Sequence, residues 1–405
     1  MKHNLKKLVL AYTVYLFCGL PTWSWAAIYS EIYVFGDSAS DTGNLFAATG
    51  KPPVPPYNNG RFSNGPGWVE YLAERLGITY NQEANFAWGY ATTGIGNYVP
   101  QVDYEVPGLL TQIDQYINNH AADPNALYVV WAGPNDFMWG FEDAETTITT
   151  AITNISSAVE RLFAHGARHI LVPNMMPMGR SPMVVAAGMA ELMNEVSRMF
   201  NEALFLRLSK LDFAITYMDI TFLSQKLFDN PEVYGFSNVT EPCLVLEPFS
   251  QCLNPDTYLI WDEVGHLTTA VQQFIANFVY TSSMVSAYYD IANRRVDIPH
   301  VEVVNPTSGK IDVYKLTMQF FTENSSTFTL IGSDMTDSGI ELTDASVITR
   351  PLSGSARFDV NTSELYIPLV EVGRDNYVAR LTLAPNEPSN PFIVQHFTIT
   401  ELVQK

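Results

Sequence analysis

Short apolar runs and longer segments of helical periodicity alternate along the first two-thirds of the chain. IYVFGDS (32–38), ALYVVWAG (126–133), HILVPN (169–174) and FAITYMDI (213–220) are too short for helices and rich in β-branched and aromatic residues, which predicts buried strands. Between them WVEYLAERLG, PGLLTQIDQYINNHA and ETTITTAITNISSAVERLFAHG carry helical spacing, with His165–Gly166 as a helix stop. Strand–helix alternation of this kind predicts an α/β fold, a parallel sheet covered on both faces. After Arg295 the pattern changes to short half-alternating runs such as ELYIPLVEV and YVARLTL, separated by Gly, Pro, Asn, Asp and Ser. Residues 298–405 therefore read as a separate all-β domain, a small sandwich or barrel, behind a domain at 27–297.

The first 26 residues stand apart. A basic start (Lys2, Lys6, Lys7), the apolar run LVLAYTVYLFCGL, and Ser24 and Ala26 at small-residue positions predict a secretory signal peptide cut after Ala26. Its removal takes Cys18 and leaves Cys243 and Cys252, an even pair in an exported protein, which predicts one local disulfide. The closed loop is short, so its entropic contribution is at most about 3 kcal/mol. Its apolar sequence, LVLEPFSQ, lies just ahead of Asp262 and suits either a lid or a stabilising hairpin. The formal charge of −20 argues against nucleic acid and against charge-driven capture by anionic membranes. Contact with a lipid surface would have to run through apolar loops.

The candidate chemistry begins at the end of the first strand, where Gly36 lets the chain turn and Asp37–Ser38 follow. Open α/β sheets bind ligands beyond the carboxyl ends of their strands, so Ser38 stands where a nucleophile is useful. Asn135, in GPND, follows the second predicted strand and emerges at the same edge, able to point an N–H at an oxyanion. Among seven histidines only His266, in WDEVGHLT, follows the last strand–helix unit with acids beside it, Asp262 and Glu263. A metal role for it is disfavoured, with no HExxH pattern present. Ester cleavage needs such a set: a hydroxyl nucleophile, a base of near-neutral pKa and oxyanion donors.

Read in order, GDSASDTGN, NGRFSNGPGW, NFAWGYATTG, GPND and WDEVGHLT resemble the blocks of the SGNH, or GDSL, hydrolase superfamily, over about residues 31–275. The wording is most similar to its lipolytic branch of secreted bacterial phospholipases, haemolysins and glycerophospholipid–cholesterol acyltransferases. That resemblance implies a flavodoxin-like three-layer sheet and a catalytic set of Ser38, His266 and an acid. It also implies an oxyanion hole from Ser38, Gly89 and Asn135, and no cofactor or metal. Two departures stand out. The usual Gly-Gly pair is Gly89–Tyr90, so Tyr90 competes with Gly89 as backbone donor. The usual Asp-x-x-His spacing belongs to Glu263, yet Trp261–Asp262 matches the motif wording and Gly265 reads as an inserted residue, which favours Asp262. The expected activity is cleavage of acyl esters of phospholipids or lysophospholipids, with transfer to an alcohol such as cholesterol as an extension. Trp88, Tyr90, Phe137, Trp139 and the cysteine loop are candidates for the acyl site. A short-chain or carbohydrate acetylesterase is the alternative enzyme, and a surface-binding protein on a degraded hydrolase domain the alternative from another class.

Overall fold

The computed structural model describes residues 29–97, 104–141, 143–213, 215–281, 286–290, 294–304, 310–320, 327–340, 356–372, 375–383 and 396–404. The predicted signal peptide, 1–26, lies outside them. The first domain has the element order β1 (Ile32–Gly36), α1 (Asn44–Thr49), α2 (Trp68–Arg75), α3 (Leu109–Asn119), β2 (Leu127–Trp131), α4 (Ala144–His165), β3 (His169–Pro173), α5 (Pro182–Ala186), α6 (Ala190–Leu208), β4 (Thr216–Met218), α7 (Ile220–Asp229), a hairpin of β5 (Leu244–Leu246) and β6 (Phe249–Gln251), and α8 (Thr269–Val279).

The four long-range strands pair in parallel in the order β1-β2-β3-β4. On the outer edge of β1, Asn85 forms a single parallel bridge with Val34, and the Phe86 N–H donates to the Val34 carbonyl at 2.7 Å. The resulting order, with that bridge outside β1, is the flavodoxin-like arrangement expected. Each strand is apolar on both sides because each side is covered. Val34, Leu127 and Val129 pack toward α2, α7 and α8, while Phe35, Tyr128 and Val130 pack toward α3, α4 and α6. Continuous apolar runs, not alternation, are what such a sheet demands. Helix α4 starts on the Asp143 carboxylate, which accepts from the Thr146 N–H, and stops at Gly166 at φ 128°, where the N–H bonds back to Leu162. His165–Gly166 is thus the stop the periodicity predicted.

The end of β1 is set by two contacts that no other residues would permit. A Cβ on Gly36 would lie 2.0 Å from the Trp131 carbonyl oxygen, so only glycine lets β1 and β2 close together here. Gln112, fully buried on α3, accepts from the Gly36 N–H at 2.8 Å and donates to the Gly36 carbonyl at 2.9 Å. It also donates to the Pro107 carbonyl. The strand therefore leaves the sheet with its backbone satisfied by a side chain, freeing the next residues to turn.

The second domain is all-β: strands β7 (Ala287–Asp290), β8 (Arg295–Val304), β9 (Ile311–Phe320), β10 (Thr327–Ile340), β11 (Ala356–Asp359), β12 (Glu364–Val372), β13 (Asp375–Leu383) and β14 (His396–Gln404). Its sheet runs β11-β12-β13-β14-β10-β9-β8-β7 and closes on itself through parallel β11–β8 and β12–β7 pairings, around a core including Ile298, Leu316, Met318, Leu365 and Phe397. The barrel alternative is the one realised. Its first strand begins at Ala287, ahead of the boundary expected at 298. AYYD carries too few residues to show an alternation, and it gains strand character only by pairing with β8 and β12.

Replacing Gln112 by leucine keeps the helix-facing bulk but orphans the Gly36 and Pro107 backbone groups. We expect a loss of about 2–4 kcal/mol in urea unfolding, from unsatisfied buried amides. A loss below about 1 kcal/mol would show that the β1 exit does not rest on this side chain.

Candidate active site

Three side chains from three places along the chain meet beyond the carboxyl ends of β1 and β2. Ser38 Oγ is 2.9 Å from His266 Nε2, and His266 Nδ1 is 2.7 Å from Asp262 Oδ2. Asp262 is buried, and its two oxygens do different work. Oδ1 accepts the backbone N–H groups of Val264, Gly265 and His266, each at 3.1 Å, while Oδ2 faces the imidazole and accepts the Tyr57 hydroxyl at 2.7 Å. The carboxylate thereby folds its own loop and orients the histidine at once. Gly265, at φ 105°, absorbs the extra residue between acid and histidine, and a Cβ there would press on Ser181 at 3.1 Å. Glu263 points away: it is exposed, and its carboxylate accepts from the Leu246 N–H at 3.4 Å on the disulfide hairpin. The i+4 spacing, with glycine as the added residue, is the one that meets the imidazole.

The RFSNG segment explains itself here. Phe62 lies against the His266 ring with centroids 4.7 Å apart, Ser63 donates to the Leu267 carbonyl, and Asn64 accepts from the Thr269 N–H. It clamps the histidine loop, and Phe62 also lines the cavity beside Ser38. Cys243 and Cys252 are bonded across the two ends of the β5–β6 hairpin, and the start of β5 pairs with the segment before the acid. The Cys243 and Leu244 N–H groups donate to the Ile260 and Trp261 carbonyls.

The expected oxyanion donors divide. Asn135 donates one N–H to the Ala91 carbonyl at 3.0 Å and accepts from Trp139 Nε1; its second N–H meets no acceptor among the described residues, and the residue lines the cavity beside Ser38. Gly89 does not serve as expected, because its N–H is spent on the buried Asp41 carboxylate at 2.7 Å. Glycine is needed there for another reason: a Cβ would sit 2.5 Å from the Phe62 ring. The next residue, Tyr90, is held at φ 69°, unusual for a side chain of its size, and among the described residues its N–H donates to no protein group. Asp41 is the organiser that sequence reasoning missed. It also accepts from Gly43, Asn44 and Leu45, tying the start of α1 to the Gly89–Tyr90 turn. Its only signal was its place inside the first motif.

A cavity of about 160 Å³ opens beside Ser38, Tyr90, Asn135 and His266 and runs between α7 and α8, where Leu223, Leu227, Val271 and Ile275 line it. Tyr90 and Trp139 line it as expected. Phe137 does not, being core packed on Phe141 and Phe200. Trp88 stacks on Tyr104 instead, and the residues within the disulfide loop do not line the cavity.

The carboxylates differ in state. Burial raises the pKa of Asp262, but the facing His266, the Tyr57 hydroxyl and the loop amide more than reverse this, leaving it below the ordinary value. Burial pushes Asp37 up to about 6, against the Ala39 N–H and His266, which pull it down. Tyr57 is pushed up by burial and by the Asp262 charge, so it remains a donor at neutral pH.

A serine, a histidine and a buried carboxylate bonded in series at the edge of a parallel sheet form the arrangement that acyl hydrolases build around a nucleophilic hydroxyl. The chain belongs to the GDSL-like lipase/acylhydrolase family, whose sequence profile matches residues 32–279. Its relatives include the phosphatidylcholine-sterol acyltransferase of Aeromonas hydrophila, 31% identical over 246 residues that span 55% of this chain and 69% of that protein. The alpha-L-fucosidase 3 of Arabidopsis thaliana is 25% identical over 335 residues, 61% of this chain and 89% of that protein. The GDSL esterase/lipase ENOD8 of Medicago truncatula is 27% identical over 332 residues, covering 62% and 86% respectively.

The depressed pKa of Asp262 sets a pH signature. Its stabilisation is complete above the unfolded carboxyl value of about 3.9 and is lost as pH falls through its lower folded value. Asp262→Asn should therefore cost about 2–3 kcal/mol in urea unfolding at pH 7, with the gap to the unsubstituted protein closing below about pH 4. A gap independent of pH would mean that the charge of Asp262 does not hold the loop.

Proposed function

We propose that the protein is an exported lipolytic esterase that cleaves acyl esters of phospholipids or lysophospholipids and can pass the acyl group to an alcohol. The observation that carries this reading is the joining of Ser38–His266–Asp262 to a cavity walled by aliphatic side chains of α7 and α8. Similarity to a phosphatidylcholine-sterol acyltransferase adds support.

In this reading His266 Nε2 takes the Ser38 proton as Oγ attacks the ester carbonyl, and Asp262 stabilises the imidazolium through Nδ1–H. The oxyanion is held by the N–H groups of Ser38 and Tyr90 and by the Asn135 amide. Tyr90 thus takes the role expected of Gly89. His266 returns the proton to the leaving alcohol, freeing it and leaving the acyl group on Ser38. Water or an acceptor alcohol then attacks the acyl-enzyme, His266 acting again as base. The acyl chain extends away from Ser38 along Leu223, Leu227, Val271 and Ile275, a wall that favours medium and long chains over acetyl. The exposed Leu246 and Phe249 of the hairpin suit contact with a lipid surface without help from charge.

The direct test is a lipid-product assay on mixed phospholipids, with and without cholesterol. Released fatty acid is expected from the unsubstituted protein and none above background from Ser38→Ala, while cholesteryl ester formation reads the transfer branch. Asn135→Ala should lower kcat by about 10²–10³. Asp262→Asn should lower it by about 10³–10⁴, with Glu263→Gln unchanged within about threefold. Preference for acetyl over octanoyl esters would instead support the acetylesterase alternative, and no product from the unsubstituted protein or from Ser38→Ala would support a binding protein.

Export with removal of residues 1–26 completes the proposal. Amino-terminal sequencing of the protein recovered outside the cytoplasm should begin at Ala27, and a mature chain still carrying the apolar run would contradict it.

A further inference from the structure

Arg180 closes the short turn Met178–Arg180 that leads into α5, and it stands at a junction. It lines the cavity that holds Ser38 and His266, and also a second, larger cavity of about 830 Å³. Pro177, Ser224 and Phe228 share that position, so these few residues border both spaces. Arg180 is the one arginine or lysine on the first cavity among the described residues, in a chain of formal charge −20.

Its charge is uncommitted. The other arginine on the second cavity, Arg198, is held between Glu195 and Glu202. Arg180 has no carboxylate within ion-pair distance among the described residues, and its guanidinium lies over the Phe228 ring, 4.7 Å from the centroid. An aromatic face steadies a guanidinium while its N–H groups stay available for an anion, and the flat fork of donors suits phosphate oxygens. The turn that carries it is built onto the catalytic loop. Ser181 donates to the Val264 carbonyl, and the Met183 N–H donates to the Glu263 carbonyl at 2.9 Å. The segment that follows Arg180 is therefore tied to the loop that carries His266.

We propose that Arg180 binds the phosphate of the lipid headgroup, making the site selective for phosphate-bearing acyl esters over neutral ones. This rests on the lipolytic reading above. The ester lies at Ser38 and the acyl chain between α7 and α8. The phosphate meets the guanidinium at this shared border, and the rest of the headgroup enters the more polar second cavity, past Asn194 and Asn201. An exposed cation prepared on an aromatic ring and left without a carboxylate has little structural work to do, which is what singles it out.

The test compares two substrates with the same acyl chain and ester, a palmitoyl lysophosphatidylcholine and monopalmitoylglycerol, in mixed detergent micelles with the full mature chain. Arg180→Gln is expected to raise KM for the lysophospholipid about tenfold with kcat within twofold. It should leave kcat/KM for the monoacylglycerol within twofold, and Arg180→Lys should fall between. Equal losses on both substrates, or no change on either, would overturn the assignment. Inorganic phosphate is the second probe. If it inhibits monoacylglycerol cleavage through Arg180 while lysophospholipid kinetics are unmoved by Arg180→Gln, the headgroup assignment is overturned and a free phosphate is the ligand. Cleavage of neither substrate by the unsubstituted protein would instead bring down the lipolytic reading and this proposal with it.

Discussion

The buried carboxylate of Asp262 is the contact on which the site depends. Removing a charged group from water is costly unless its oxygens are fully met, and here they are met by the loop that carries the histidine. Three consecutive backbone N–H groups converge on Oδ1, and the imidazole and the Tyr57 hydroxyl converge on Oδ2. The electrostatic need of one side chain thus fixes the path of residues 262–266. Position and tautomer of His266 follow from it: with Nδ1–H given to the acid, Nε2 is left to face Ser38.

A second buried carboxylate does the same for the other half of the site. Asp41 gathers the N–H groups of Gly43, Asn44, Leu45 and Gly89, so the helix after the serine and the turn that bears Tyr90 are tied together. Burial raises its pKa, and the amides around it work against that shift. Holding Tyr90 at positive φ costs on the order of 1–2 kcal/mol. Its ring repays part of that by packing near Phe62 and Trp139. The nucleophile side and the base side are then joined by Phe62, which touches both the His266 ring and the Tyr90 ring.

Much of this was legible in the chain itself. The strands were readable because burial on both faces forbids polar positions. The order of the motifs, together with the sheet-edge rule, brought Ser38, Asn135 and His266 to one place. What escaped was whatever depends on where a backbone N–H points. Gly89 was the natural oxyanion donor by residue type, and only the structure reveals that Asp41 consumes its amide. The motif spacing pointed to Glu263 and the motif wording to Asp262. The choice closes on a loop geometry that Gly265 permits and that no periodicity encodes. Phe137 carried the same aromatic signal as Trp139, yet one faces the core and the other the cavity. Arg180 gave no signal at all, since an exposed arginine before a serine and a proline is unremarkable until its neighbours are known.

The central claim is that Ser38 is an activated nucleophile, and covalent labelling tests it most directly. The full chain is treated with a fluorophosphonate at neutral pH and the modified peptide located by mass spectrometry. The account predicts a single adduct on Ser38, formed rapidly, and no labelling of the Ser38→Ala protein. An unreactive chain, or an adduct on another residue, would contradict it.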